Sequence, residues 1–276
     1  MELDVNHLFF WDPIVFEGTP FAINRVVLLM FLASAVCLLF FFLGARKGSL
    51  VPRGIQNLAE QAYLFVRNQI AIDVIGPKDG PRFAGYLAAL FYFIFFMNLL
   101  EIVPGINFPV TSRMAIPAFL ALLSWIIFNF VGIKHQGLRY FKETLFPPGV
   151  PVLIKPLLAL IELFSVFFIR PLTLAIRLLA NMMAGHVLLT IFFLFSAEFV
   201  ALDITLPLGL ATGAVAAILI VFEMLIISIQ AYIFTMLTAF YIAEALHGHG
   251  EADTEVESVH EGPNYETEGL ASASAR

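Results

Sequence analysis

Apolar residues run along this chain in blocks longer and less broken than the surface of a water-soluble fold allows. From Val26 to Leu43, Ser34 is the only hydroxyl among aliphatic and aromatic side chains. Further blocks cover Phe83–Val103, Ala115–Ile133, 156–197 and 206–246. About 20 such residues suffice for a helix to cross a hydrocarbon core of about 30 Å. The pattern therefore predicts five membrane-embedded helices. A different rhythm governs residues 54–75. There Ile55, Leu58, Ala62, Phe65 and Val66 recur at helical spacing, with Gln56, Asn57, Glu60 and Gln61 between them. That is an amphipathic helix lying on the membrane surface. The last two blocks are too long: as straight helices each would measure about 60 Å. They either tilt steeply and fold back as a hairpin, or they are broken. Pro171 offers one break, because it cannot donate the intrahelical hydrogen bond.

Composition agrees. The chain is 60% hydrophobic and only 13% charged, about half the charge a soluble domain carries. The fold class is an all-α polytopic membrane protein, with residues 1–250 as a single membrane domain. The net charge of −6 is a property of the end of the chain, since residues 251–276 carry seven carboxylates and one basic residue. The remainder is balanced, with 14 basic and 14 acidic side chains. The polar acidic tail, 251–276, reads as disordered.

Lysine and arginine in the loops set orientation. Arg46, Lys47, Arg53, Arg67, Lys78 and Arg82 follow the first span, and Lys134, Arg139, Lys142 and Lys155 follow the third. The other side has only Arg25 and Arg113. Five crossings then leave the N-terminus outside and the C-terminus in the cytoplasm. The acidic start, MELDVNHLFF, is the wrong leader for a cleaved signal, so the first block is expected to be retained. LVPRG resembles a protease-site linker, but its mid-chain setting makes it native sequence. Cys37 stands alone, which excludes an internal disulfide and a thiolate metal site. His247, His249 and His260 match no metal-ligand spacing, so no metal and no cofactor is expected. No basic patch suggests nucleic acid, and no GxxxxGK[ST] pattern cradles a nucleotide.

The candidate chemistry is what interrupts the greasy blocks. The fourth carries Glu162, Arg170, Arg177, Asn181 and His186, centred on RLLANMMAGH (177–186). Polar groups inside a membrane are costly and mark function by default. At 100° per residue, Arg170, Arg177, Asn181 and Ala184 share a narrow stripe, whereas His186, nine residues after Arg177, lies on the opposite face. One face thus holds a permanent cation and the other a group that gains and loses a proton near neutral pH. In the fifth block Glu223, Gln230, Tyr241 and Glu244 again form one stripe. Desolvation brings a membrane carboxylate toward the titration range of imidazole, so such groups can exchange protons. A blander reading has Arg177 locked to Glu223 or Glu162 as an ion pair, with Arg170, beside Pro171, the better candidate for such a role.

RLLANMMAGH, followed 44 residues after its histidine by Gln230 in SIQAYIFTMLTAFY, resembles the a subunit of the F-type ATP synthase membrane sector, as does FFMNLLEIVPG at 95–105. The resemblance runs from about residue 20 to 246. It implies a non-catalytic, proton-translocating stator, with the last two helices tilted as a hairpin against a ring of c subunits. Two half-channels would lead protons to and from the ring carboxylates. On the matching positions, Arg177 is the essential arginine between the half-channels, and Asn181 and Gln230 are its polar neighbours. His186 and Glu223 are exchanged relative to some bacterial members, as in mitochondrial ones, which implies that they cooperate in one half-channel on the outer side. Glu101, Glu162, Arg170, Tyr241 and Glu244 are further candidates to line the half-channels. The implied partners are the c-ring, peripheral-stalk b subunits and the lipid bilayer of a bacterial cell membrane, with H+ rather than Na+ translocated. ATP chemistry would lie in other subunits. The acidic tail departs from the family pattern. A stand-alone secondary transporter is disfavoured because no internal repeat is visible, and a mere anchor would not need these polar stripes.

Overall fold

The computed structural model describes residues 24–46, 48–49, 51–103, 105–137, 140, 144–145, 154–201 and 206–247. The expectations for the acidic N-terminal segment and the 251–276 tail, and those resting on Lys47, Arg139, Lys142, His249 and His260, lie outside these residues. The side chain of His247 does too.

Helix α1, Arg25–Ala45, starts where Asn24 caps it: the side-chain oxygen accepts from the Val27 N–H at 3.1 Å. Capping satisfies a backbone donor that the helix itself leaves orphaned. Helix α2, Ile55–Val66, forms over the amphipathic segment and runs directly into a π-helical stretch, Arg67–Ile75. Helix α3, Gly80–Leu99, opens with Pro81 in its first turn, where the missing N–H costs nothing. A short 3₁₀ turn, Val110–Ser112, precedes α4, Ala115–Gln136. Helix α5, Lys155–Phe164, passes through a π stretch, Ser165–Ile169, into α6, Arg170–Ala201. Helix α7, Leu206–His247, closes the described fold. No strand occurs among the described residues. Among the described residues, five helical stretches are long and apolar enough to cross a membrane, the last two being Lys155–Val200 and Leu206–Leu246. In lipid, helices are favoured because they pair every interior backbone group within the segment.

The two long blocks take different routes around their excess length. Helix α7 is unbroken over 42 residues, about 63 Å, a mismatch with the bilayer that a helix takes up by tilting. The fourth block changes its winding at Ser165–Ile169, the turn immediately ahead of Pro171. The helix runs continuously from Lys155 to Val200, so the N–H that Pro171 lacks is one the carbonyls a turn upstream would otherwise receive. The π stretch therefore absorbs the irregularity just upstream, and Trp125 of α4 donates its indole N–H to the Val166 carbonyl there at 2.9 Å.

Helices α6 and α7 pack along each other as a hairpin, with α4 against both and α3 against α7. At the hairpin turn the backbones come close. A Cβ at Gly209 would meet Val200 at 2.7 Å, and Ser196 donates its hydroxyl to the Gly209 carbonyl at 3.0 Å. Leu174, Leu178 and Met182 of α6 are buried, as are Ala231, Phe234 and Ile242 of α7 and Phe128 of α4. Thr235 and Thr238 return their hydroxyls to carbonyls four residues back, so they enter the core without unpaired donors. The outward faces are apolar: Phe31, Leu38 and Phe42 of α1 and Ile218 and Val221 of α7 are widely exposed, as lipid-facing residues are.

Candidate functional site

The helical phase of α6 separates the polar residues of RLLANMMAGH. Ile176, Arg177, Ala180 and Ala184 are exposed on one face, Asn181 is half-buried, and His186 is buried on the far side. Nine residues are two and a half turns, so the division follows from spacing alone once Leu178 and Met182 fix which face is inward. Arg177 makes no ion pair or hydrogen bond among the described residues, so neither Glu162 nor Glu223 is its salt-bridge partner.

His186 meets residues from elements far apart in the chain. Its Nδ1 lies 3.5 Å from Oε1 of Glu101, just past the end of α3. That is an ion-pair distance, longer than a formed hydrogen bond. The ring of Phe108 stands edge-to-face with the imidazole, centroids 6.0 Å apart. Glu223 reaches the same place from α7. Its carboxylate occupies the space that a Cβ at Gly185 would fill, so the glycine next to His186 is what lets α7 bring an acid against α6. Glu223 also lies within electrostatic reach of Glu101. Two carboxylates and one imidazole thus share a buried site, with exposures of 3% for Glu101, 6% for His186 and 3% for Glu223.

Further polar atoms continue from this cluster. Asn98, one turn before Glu101, accepts a short hydrogen bond from the Thr111 hydroxyl. The Val110–Ser112 turn carrying that threonine is buried and packs on α6. Among the described residues, Asn98 Nδ2, Ser112 Oγ, both Glu101 oxygens, Glu223 Oε1 and Gln230 Nε2 are buried without a protein hydrogen-bond partner. Buried polar atoms are ordinarily paired, so such a run of uncommitted ones belongs to a place where polar groups serve something other than packing. Gln230 lies two turns from Glu223 on the same buried stripe of α7.

The remaining predicted residues separate. Arg170 and Glu244 form a forked pair, Nη1–Oε2 at 2.6 Å and Nη2–Oε1 at 2.8 Å. Tyr241 lies under the guanidinium at 4.9 Å. Tyr140, from the connector after α4, is buried nearby and approaches Asn129 at 3.5 Å, and burial pushes its phenol up to about 12. This group sits two turns of α6 before Arg177. Glu162 is half-buried on α5, a helix with no fully buried residue, and joins neither cluster. Four contributors escaped the sequence reading: Phe108, the Thr111–Asn98 pair, Gly185 and Trp125. Only Gly185 left a local signal, a residue without a side chain beside a membrane histidine.

A family model described as ATP synthase A chain matches residues 27–243. Over 216 residues the chain is 49% identical to an ATP synthase subunit a of Parafrankia sp. (strain EAN1pec), an alignment covering 78% of this chain and 72% of that protein. It is 40% identical over 244 residues to an ATP synthase subunit a of Rhodococcus erythropolis, covering 87% and 88%. With that of Streptomyces lividans the identity is 38% over 251 residues, covering 88% and 87%.

Proposed function

We infer that this chain, which belongs to the ATP synthase A chain family, is the proton-translocating stator subunit of a rotary ATP synthase in a bacterial cell membrane. The observation that carries the inference is the split on α6: Arg177 exposed on one face, His186 buried on the other beside Glu101 and Glu223. A ring of carboxylate-bearing c subunits would pass the exposed face. There the guanidinium, charged at any physiological pH, favours the ionised ring carboxylate and blocks direct proton flow past it.

The buried cluster is the proton path to the ring. An imidazole and two carboxylates in one buried site are groups that can pass a proton between them, and uncommitted polar atoms are suited to water-bridged transfer. With the N-terminus outside, the end of α3 lies on the outer side, so Glu101 stands nearest the external water and His186 and Glu223 deeper. Asn181 and Gln230 are the polar neighbours through which the path approaches Arg177. The second half-channel leaves on the cytoplasmic side. The c-ring and peripheral-stalk b subunits are the partners, H+ is the translocated ion, and ATP chemistry resides in other subunits.

The test is ATP-driven proton pumping by the reconstituted complex. Arg177→Ala abolishes pumping while leaving the amount of assembled complex unchanged. Full coupled pumping by this variant refutes the stator reading, as would substrate uptake by the purified chain alone.

A further inference from the structure

Two arginines occupy one stripe of α6. Arg170 and Arg177 are seven residues apart, nearly eclipsed and about 10.5 Å apart along the axis. The fold treats them in opposite ways. Arg177 is exposed and bears its charge unpaired among the described residues. Arg170 is flanked by exposed Ile169 and Leu172, yet its guanidinium is turned inward, with only 14% of its side chain accessible. The fork to Glu244 and the face of Tyr241 hold it there. Val166 and Leu174, one turn to either side, are buried, so Arg170 stands where the outward stripe meets the core, and its side chain takes the inner side.

We propose that Glu244 is a charge-masking residue: by neutralising Arg170 it leaves Arg177 as the single fixed cation on the stripe that a passing carboxylate meets. The proposal rests on the reading of Arg177 given above. An opposite charge within a few ångströms lowers a carboxylate pKa by about 1–3 units, so each bare guanidinium on this path is a place where a ring carboxylate is held ionised. One such place between the half-channels is useful. A second, two turns away in a medium that screens poorly, would hold the carboxylate again where it should move on. A forked pair presents no net charge, and its planar geometry keeps the guanidinium from swinging outward.

Two other roles for the pair predict different outcomes. A structural staple between α6 and α7 would be lost equally by removing either partner or both. A proton relay through Glu244 would need that carboxyl whatever stood at position 170. Masking alone requires Glu244 only because Arg170 is present.

The experiment compares ATP-driven proton pumping, normalised to assembled complex, in Glu244→Gln, Arg170→Gln and the double variant. Glu244→Gln is expected to lower pumping about tenfold, the effect of about one pK unit on the ring carboxylate. Arg170→Gln and the double variant are expected to pump at the parent rate, and Glu244→Asp, which keeps the charge, likewise. A double variant as slow as Glu244→Gln overturns the proposal, as does a Glu244→Gln that pumps normally. If Glu244→Gln does not assemble, a loss of pumping in Arg170→Gln alone overturns it equally. Normal pumping by Arg177→Gln would instead defeat the underlying stator reading, whatever the other variants do.

Discussion

Nδ1 of His186, in the middle of α6, lies 3.5 Å from Oε1 of Glu101, just past the end of α3. Glu223 closes the group from α7, and because it comes through the space left by Gly185 it stands on the same side of α6 as the imidazole. Three helices thus converge on one titratable site, while the arginine nine residues before His186 faces away from it.

If the site passes protons, its imidazole and carboxylate matter as a pair rather than as particular residues at particular positions. His186→Ala and Glu223→Gln should each lower ATP-driven proton pumping by about 10²-fold, the low end of what a positioned acid–base group contributes. The exchanged variant, His186→Glu with Glu223→His, should recover most of that loss. An exchanged protein no better than either single variant would mean that the two do not cooperate.

Gly185→Ala places a methyl group inside the Glu223 carboxylate. Overpacking of this kind costs about 1–3 kcal/mol and should appear as a lowered melting temperature of the assembled complex. Adding Glu223→Ala removes the overlap and should restore the melting temperature without restoring pumping. Stability unchanged in Gly185→Ala would show that the two helices can part there freely.

The exposed stripe of α6 is open to chemical mapping. With Cys37 replaced by serine, a cysteine at Ala180 or Ala184 should cross-link to a cysteine-bearing ring helix. A cysteine at Leu178 or Met182, both fully buried, should not. Equal cross-linking from both faces would contradict the orientation of the helix toward the ring.

Trp125 fixes the π stretch ahead of Arg170 through the Val166 carbonyl. Trp125→Phe keeps an aromatic ring but leaves that acceptor unpaired, at a cost of about 1–3 kcal/mol. The expected result is a lower melting temperature with pumping retained below it. Loss of pumping at temperatures where the complex is intact would give Trp125 a larger role than holding the bend.

The sequence by itself determined the five long helices, the amphipathic helix after the first of them and the two faces of α6. Each follows from a local rule: hydrophobic length against bilayer thickness, and a rotation of 100° per residue that must set Arg177 and His186 apart. Only the tertiary structure decided which polar group meets which. Glu101 was legible as an acid at the end of a span, but its contact with a histidine 85 residues later depends on how α3 and α6 cross. Arg170 shares its stripe with Arg177 by periodicity, yet a carboxylate 74 residues away turns it inward. Pro171 marked the fourth block as irregular, but the π winding of the turn ahead of it, Ser165–Ile169, and the tryptophan on another helix that supplies the Val166 carbonyl with a donor came only from the packing. Periodicity fixes the direction in which a side chain leaves its own helix. What it finds there is set by the packing of helices distant in sequence.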